Sequence, residues 1–161
     1  MPEPGPPAAN DVRLRKSLHD TLEQPRWPQG YTLRSFEPAD AALLHALLVE
    51  TFDDGSDGPF DTWWPRVRDD AEFEPALCFL AFAQGELAGA ALCWNSAFVK
   101  DLAVASAARG KGLGEALMRH AFLAFRARGA DHVDLKTNTV ENAAAVRLYR
   151  RLGMVEVDWA G

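Results

Sequence analysis

Residues 109–114, RGKGLG, place three glycines and two cations in six positions and then run without a break into an apolar helical pattern. Few local structures accept that combination. Alternate glycines let the main chain turn tightly and face its amides outward with no Cβ in the way. The stretch before them, Phe98 to Val104, reads as a strand, and Leu113, Leu117, Ala121 and Ala124 after them form one helical stripe. That stripe stops at Gly129, a suitable left-handed cap. Strand, glycine loop and helix in this order set free amides and the positive end of a helix dipole beside Arg109 and Lys111, which is a site for phosphate. Two phosphate motifs are excluded by letter. A Walker loop needs GK[ST] four residues after its first glycine, and GxGxxG fails because position 115 is Glu. The competing reading is a glycine-rich corner with two solvated cations.

The rest of the chain supplies the setting. YTLRSF alternates as a strand, EPADAALLHALLVETF has helical spacing, and DTWWPRVRDDAEF predicts a short helix opened by Asp61 and perturbed by Pro65. LCFLAFA and LAGAALCWN, joined by QGE, predict a hairpin. HVDLKT predicts a strand, ENAAAVRLYRRLG a helix ending at Gly153, and MVEVDW a last short strand. Six of the ten prolines precede residue 30, and between their two clusters residues 11–24 read as a helix-like piece anchored by Val12, Leu18 and Leu22. We therefore divide the chain into a proline-flanked extension, 1–29, and a domain, 30–161. The mixed order predicts an α/β or α+β sheet covered by helices.

Composition narrows the function classes. A length of 161 residues fits one core, and 48% hydrophobic with 25% charged residues is ordinary for a globular domain. A net charge of -6 disfavours a broad contact with nucleic acid. No apolar run reaches the roughly 18 residues of a membrane span, and the first residues carry no apolar block for a signal peptide, so a cytoplasmic protein is expected. Cys78 and Cys93 have neither CxxC spacing nor a neighbouring His pair, so no metal site and no disulfide are expected.

The stretch DLAVASAARGKGLGEALM resembles the cofactor segment of the GNAT superfamily of acyl-CoA-dependent N-acetyltransferases. Its Arg or Gln, two residues, Gly, one residue, Gly or Ala pattern reads here as Arg109, Gly112 and Gly114. NAAAVRLYRRLGM resembles the same family's second signature through Asn142, Ala145, Leu148, Tyr149 and Gly153. The resemblance implies a mixed, mostly antiparallel sheet with a central splayed parallel strand pair flanked by helices. It implies an enzyme that moves an acetyl group from acetyl-CoA to a primary amine of a small molecule or protein, by direct attack in a ternary complex. A non-catalytic acyl-CoA-binding module is the alternative.

By that resemblance Leu102, Ala103 and Val104 offer main-chain groups to the pantetheine arm, and Arg109, Gly110, Lys111, Gly112, Leu113, Gly114 and Glu115 wrap the diphosphate. Asn142 would hydrogen-bond the cofactor or cap the last helix, and Tyr149, seven residues on and so on the same helix face, would protonate the departing thiolate. The amine needs a proton acceptor, for which Asp101, Glu50 and Asp53 are candidates, with Asp101 preferred; a solvated strand-edge charge is the other reading of Asp101. On the acceptor side, ETFDDGSDGPFDTWW holds five carboxylates and two adjacent indoles. Asp53, Asp54 and Trp63 there suit a cationic amine, unless the loop is merely solvated and the indoles pack on the sheet.

One feature departs from the resemblance. A typical member continues past the last helix through two strands, the second inserting between its predecessors, whereas MVEVDW supplies one. Either the sheet closes with fewer strands, or the proline-flanked N-terminal arm or a second subunit in a homodimer completes it.

Overall fold

The computed structural model describes residues 8–161; the part of the signal-peptide reading that rests on residues 1–7 lies outside them. The strands are β1 (Asp11–Ser17), β2 (Tyr31–Ser35), β3 (Phe73–Ala83), β4 (Glu86–Trp94), β5 (Phe98–Val104), β6 (His132–Asn138) and β7 (Val155–Val157). The helices are α1 (Ala41–Thr51), α2 (Phe60–Arg68), α3 (Leu113–Ala127) and α4 (Ala143–Arg151). Among the described residues one seven-stranded sheet runs β2-β3-β4-β5-β6-β1-β7, and in it only the β5–β6 pair is parallel.

Because side chains alternate along a strand, β3 sends Leu77, Phe79 and Ala81 to one core and Cys78 and Leu80 to the other. Helix α3 and Tyr149 of α4 cover the first face, and Leu44 and Leu48 of α1 with Trp63 and Val67 of α2 cover the second. Burial on both faces is why β3 and β4 are apolar almost throughout. Their turn, Gln84 and Gly85, has φ values of 52° and 78°, the left-handed pair of a tight hairpin. At Gly89 of β4 a Cβ would lie 2.9 Å from Leu113 Cδ2, so glycine is what lets α3 sit this close to the sheet.

Two expectations are corrected. Helix α2 is preceded by Pro59 rather than capped by Asp61, which falls in the first turn, where its charge favours the helix dipole. The helix expected within residues 11–24 is strand β1, lying between β6 and β7. Its pattern has period two: Leu14 and Lys16 are buried, while Arg13 and Arg15 turn to the other face and grip Asp134 of β6. β1 thus fills the place for which an N-terminal arm or a second subunit was expected. From Ser17 the chain crosses the outside of α3 toward β2, with Trp27 against His120 (ring centroids 6.0 Å apart) and Glu23 against Arg119 (3.2 Å).

Candidate functional site

The site begins with a strand that leaves its neighbour. β5 pairs with β6 only at Phe98 and Val99, and the next residue, Lys100, is an extra one opposite the Leu92–Cys93 step of β4. Such a bulge increases twist and reverses which residues face which side. Val99 faces the α3 core, yet so do Leu102 and Val104, while Ala103 faces the α1–α2 core. Beyond the bulge β5 and β6 diverge, and the main chain of residues 100–104 has no strand partner on the β6 side.

A cavity of about 390 Å³ opens there, lined by Leu102 and Val104, the loop residues Arg109, Gly110, Gly112, Leu113, Gly114 and Glu115, and Leu148 and Tyr149 of α4. Gly112 sits at φ +84° at the start of α3, and the first helical bond runs from the Ala116 amide to the Gly112 carbonyl. The amides between them have no helical acceptor, and no side chain among the described residues caps them. A Cβ at Gly110 or Gly112 would meet nothing within 4 Å, so the loop faces open space. Arg109 donates from Nε to the Val104 carbonyl at 3.1 Å, tying the loop to the end of β5. Glu115, the acid that would repel an anion, is engaged by Arg151 at 3.3 Å and Arg119 at 3.5 Å. Lys111 turns aside to the Tyr31 ring, 6.0 Å from its centroid, and lines a neighbouring pocket. This cradle, open, uncapped and locally cationic, fits a diphosphate.

A smaller slot of about 130 Å³ adjoins the first between β5 and β6, and brings together Asp101, Asn142 and Tyr149 with Phe52, Lys100 and Thr137. Tyr149 lines both cavities and is 6% exposed. Burial, and secondarily the charge of Asp101, pushes its phenol up to about 12, so it stays protonated at neutral pH. Asn142 occupies the cap position of α4 without capping it, and instead donates to Thr137 Oγ1 at 3.3 Å. Asp101 accepts from Lys100 at 2.9 Å.

The other expected residues are dispersed. Glu50 accepts from the Ser106 hydroxyl at 2.9 Å, which ties α1 to the turn after β5. Asp53 and Asp54 are exposed, and Asp54 is turned onto the Ser56 amide. Trp63 is wholly buried among His45, Phe60 and Trp64, leaving no face for an acceptor to touch. Thr51 and Phe52, at the end of α1, line the cavities without having been singled out in sequence. Only their approach to β5 reveals them.

A family model described as the acetyltransferase (GNAT) family matches residues 41–154. Streptothricin acetyltransferase from Streptomyces lavendulae is 42% identical over 130 residues, covering 77% of this chain and 62% of that protein. Mycothiol acetyltransferase from Thermobispora bispora is 33% identical over 159 residues, covering 88% of this chain and 52% of that protein. The crystal structure of a GCN5-related N-acetyltransferase from Sphaerobacter thermophilus superposes with a TM-score of 0.80 at 27% identity, over 92% of this chain and 48% of that one. The chain thus spans between about half and three fifths of the length of these relatives.

Proposed function

Since the chain belongs to the GNAT acetyltransferase family, we propose that it transfers an acetyl group from acetyl-CoA to a primary amine, with a small cationic molecule as the preferred acceptor and a protein amine as the other. The observation that carries this reading is the shared cavity, in which the uncapped glycine-loop amides and the protonated Tyr149 line one continuous wall. Both curated relatives are named acetyltransferases, which supports the same class of reaction. A binding-only module is less favoured, because β1 supplies the strand beside β6 and the slot retains an acid, an amide and a phenol.

Acetyl-CoA supplies the acetyl group as an activated thioester. The amides from Gly110 to Glu115, with Arg109 beside them, hold the diphosphate. The unpaired main chain of Leu102, Ala103 and Val104 aligns the pantetheine arm, and an amide of that strand stabilises the carbonyl oxygen as charge develops on it. Asp101 accepts the proton that the ammonium must lose before its nitrogen can attack. Tyr149 holds a proton at Oη for the departing sulfur. Asn142 hydrogen-bonds the cofactor at the slot. No thiol takes part: Cys78 and Cys93 are buried, and burial raises both. Their unpaired state supports a cytoplasmic location, and no helix among the described residues is long and apolar enough to cross a membrane.

Titration calorimetry with CoA, followed by thiol release over an amine panel, tests the proposal. Saturable binding of CoA and turnover with alkyl amines are expected; absence of CoA binding overturns it. Gly112→Ala sharpens the test. A side chain at φ +84° costs about 1–2 kcal/mol of backbone strain, and relief of that strain turns the amides. CoA affinity is expected to fall about tenfold with the cooperative melt retained, whereas unchanged affinity detaches the loop from the cofactor.

A further inference from the structure

The slot beside Tyr149 already holds a primary amine of the chain's own. Lys100 is the extra residue of the β5 bulge, and such a residue leaves the ladder and re-aims its side chain. Here it lines the slot with Asp101, Asn142 and Tyr149. Its Nζ lies 2.9 Å from Asp101 Oδ2, and the two side chains are 31% and 16% exposed, so the pair is largely withdrawn from solvent.

Three relations set this pair apart from a surface salt bridge. The slot and the cofactor cavity share Leu102, Ala145 and Tyr149 as wall residues, so the two spaces adjoin. Asp101, which takes the proton of an external amine in the reaction above, is the group that Nζ already touches. The stem of a lysine is a flexible chain of four carbons, which lets Nζ move while Asp101 keeps its place. The other lysines of the chain, Lys16, Lys111 and Lys136, are placed differently. Lys16 pairs with Asp20 at 3.6 Å, and Lys111 turns to Tyr31 in the neighbouring pocket. Lys136 lines the slot, but its Nζ lies over the Trp159 ring, 4.3 Å from the centroid.

Resting on the acetyl-CoA reading above, we propose a further activity: with no external amine in the slot, the chain acetylates its own Lys100. Asp101 takes one proton from the ammonium. The neutral Nζ then bonds to the thioester carbonyl carbon as the C–S bond breaks, and Tyr149 gives its proton to the sulfur. The second proton, shed by nitrogen as the amide forms, returns to Tyr149 Oη. CoA leaves as the thiol, and the proton on Asp101 passes to water. Tethering holds this amine beside the cofactor cavity at an effective concentration that no second protein molecule supplies. The product is an uncharged amide, so Asp101 loses its ammonium partner.

In the test the full chain is incubated with acetyl-CoA and no added amine, and acetyl uptake is mapped by peptide mass spectrometry over the four lysines. Uptake at Lys100 is expected, with a first-order rate that does not change with protein concentration. Lys100→Arg, which keeps a cation on Asp101, is expected to abolish it, and Tyr149→Phe and Asp101→Asn to slow it by about tenfold or more. Uptake spread over the other lysines, a rate that rises with protein concentration, or a rate indifferent to Tyr149→Phe overturns the proposal, because each places the acetylation outside the slot. Should Asp101→Asn lose its cooperative melt, Tyr149→Phe decides. A second readout needs no turnover. In protein carrying ¹³Cε-lysine, with the Lys100 signal assigned through Lys100→Arg, saturating CoA has no acetyl group to give, yet is expected to move that signal and leave the Lys16 signal in place. An unmoved Lys100 signal with CoA bound also overturns the proposal. If calorimetry finds no CoA binding, the transferase reading falls and this activity with it; if CoA binds and amines turn over while Lys100 stays unmodified, this activity alone falls.

Discussion

Tyr149→Phe is expected to lower kcat by about 10²-fold or more at saturating acetyl-CoA and amine, the range by which a positioned proton donor acts, while CoA affinity in calorimetry stays within about twofold. The phenyl ring keeps its packing in the core that α3 covers, so the melting temperature should hardly move. What is lost is one proton held at the junction of the two cavities. Burial holds the phenol up to about 12, which sets the pH signature. The proton remains in place across the neutral and mildly alkaline range, so loss of rate there belongs to other groups, and the acid limb reports deprotonation of the acceptor ammonium. An unchanged kcat for the Phe variant, with turnover by the wild type established, removes Tyr149 from the chemistry.

Asp134→Ala is expected to cost about 2–4 kcal/mol, near the lower end of what removing one partner of a buried ion pair costs, or roughly 5–15 °C in melting temperature for a chain of this size. Asp134 is 1% exposed and takes Arg13 Nε at 2.6 Å and Arg15 Nε at 2.8 Å, with a second Arg15 nitrogen at 2.9 Å. Both arginines keep a partial exposure that softens the loss. Burial raises this carboxyl, but the hydrogen bonds from Arg15 and Arg13 outweigh it and bring it below the usual carboxylate range. A depressed carboxyl stabilises the fold fully above its unfolded value of about 3.9 and loses that contribution as pH falls through the lower folded value. The gap in stability between wild type and variant, measured by denaturant titration at successive pH values, should therefore be full at pH 7 and close below about pH 4. A gap independent of pH would mean that the pair does not hold β1 in the sheet.

The functional consequence follows from position. β1 backs β6 along its whole length, from Asp11 opposite Asn138 to Ser17 opposite His132, and β6 is the far wall of the slot that contains Asp101 and Tyr149. Loosening β1 is thus expected to weaken the slot before it disturbs the glycine loop, which hangs from β5 and α3.

Local patterns announced most of the elements because each carries its own physical signal. The strand Phe98–Val104 was legible to the residue, and helix α3 was set by its stripe and by Gly129. Gln84 and Gly85 had to form a tight turn. Asn142 and Tyr149 shared a face by spacing alone, and the structure puts both on one slot. β1 escaped because its alternation was read as sparse helix anchors. Arg13 and Arg15 look like solvated charges until Asp134, more than a hundred residues away, neutralises them. Asp57 was one acid among three in its loop, and nothing local marks it as the one that turns inward.

The sequence by itself determined the strand, glycine loop and helix that open the cofactor cradle, because backbone freedom, helix caps and apolar periodicity act within a few residues. Only the tertiary structure decided the bulge at Lys100 that sends Leu102 and Val104 into the cavity, the seating of β1 between β6 and β7, and the burial of Asp57. Those depend on pairing and desolvation between segments distant in the chain, and such energies have no signature in any single segment.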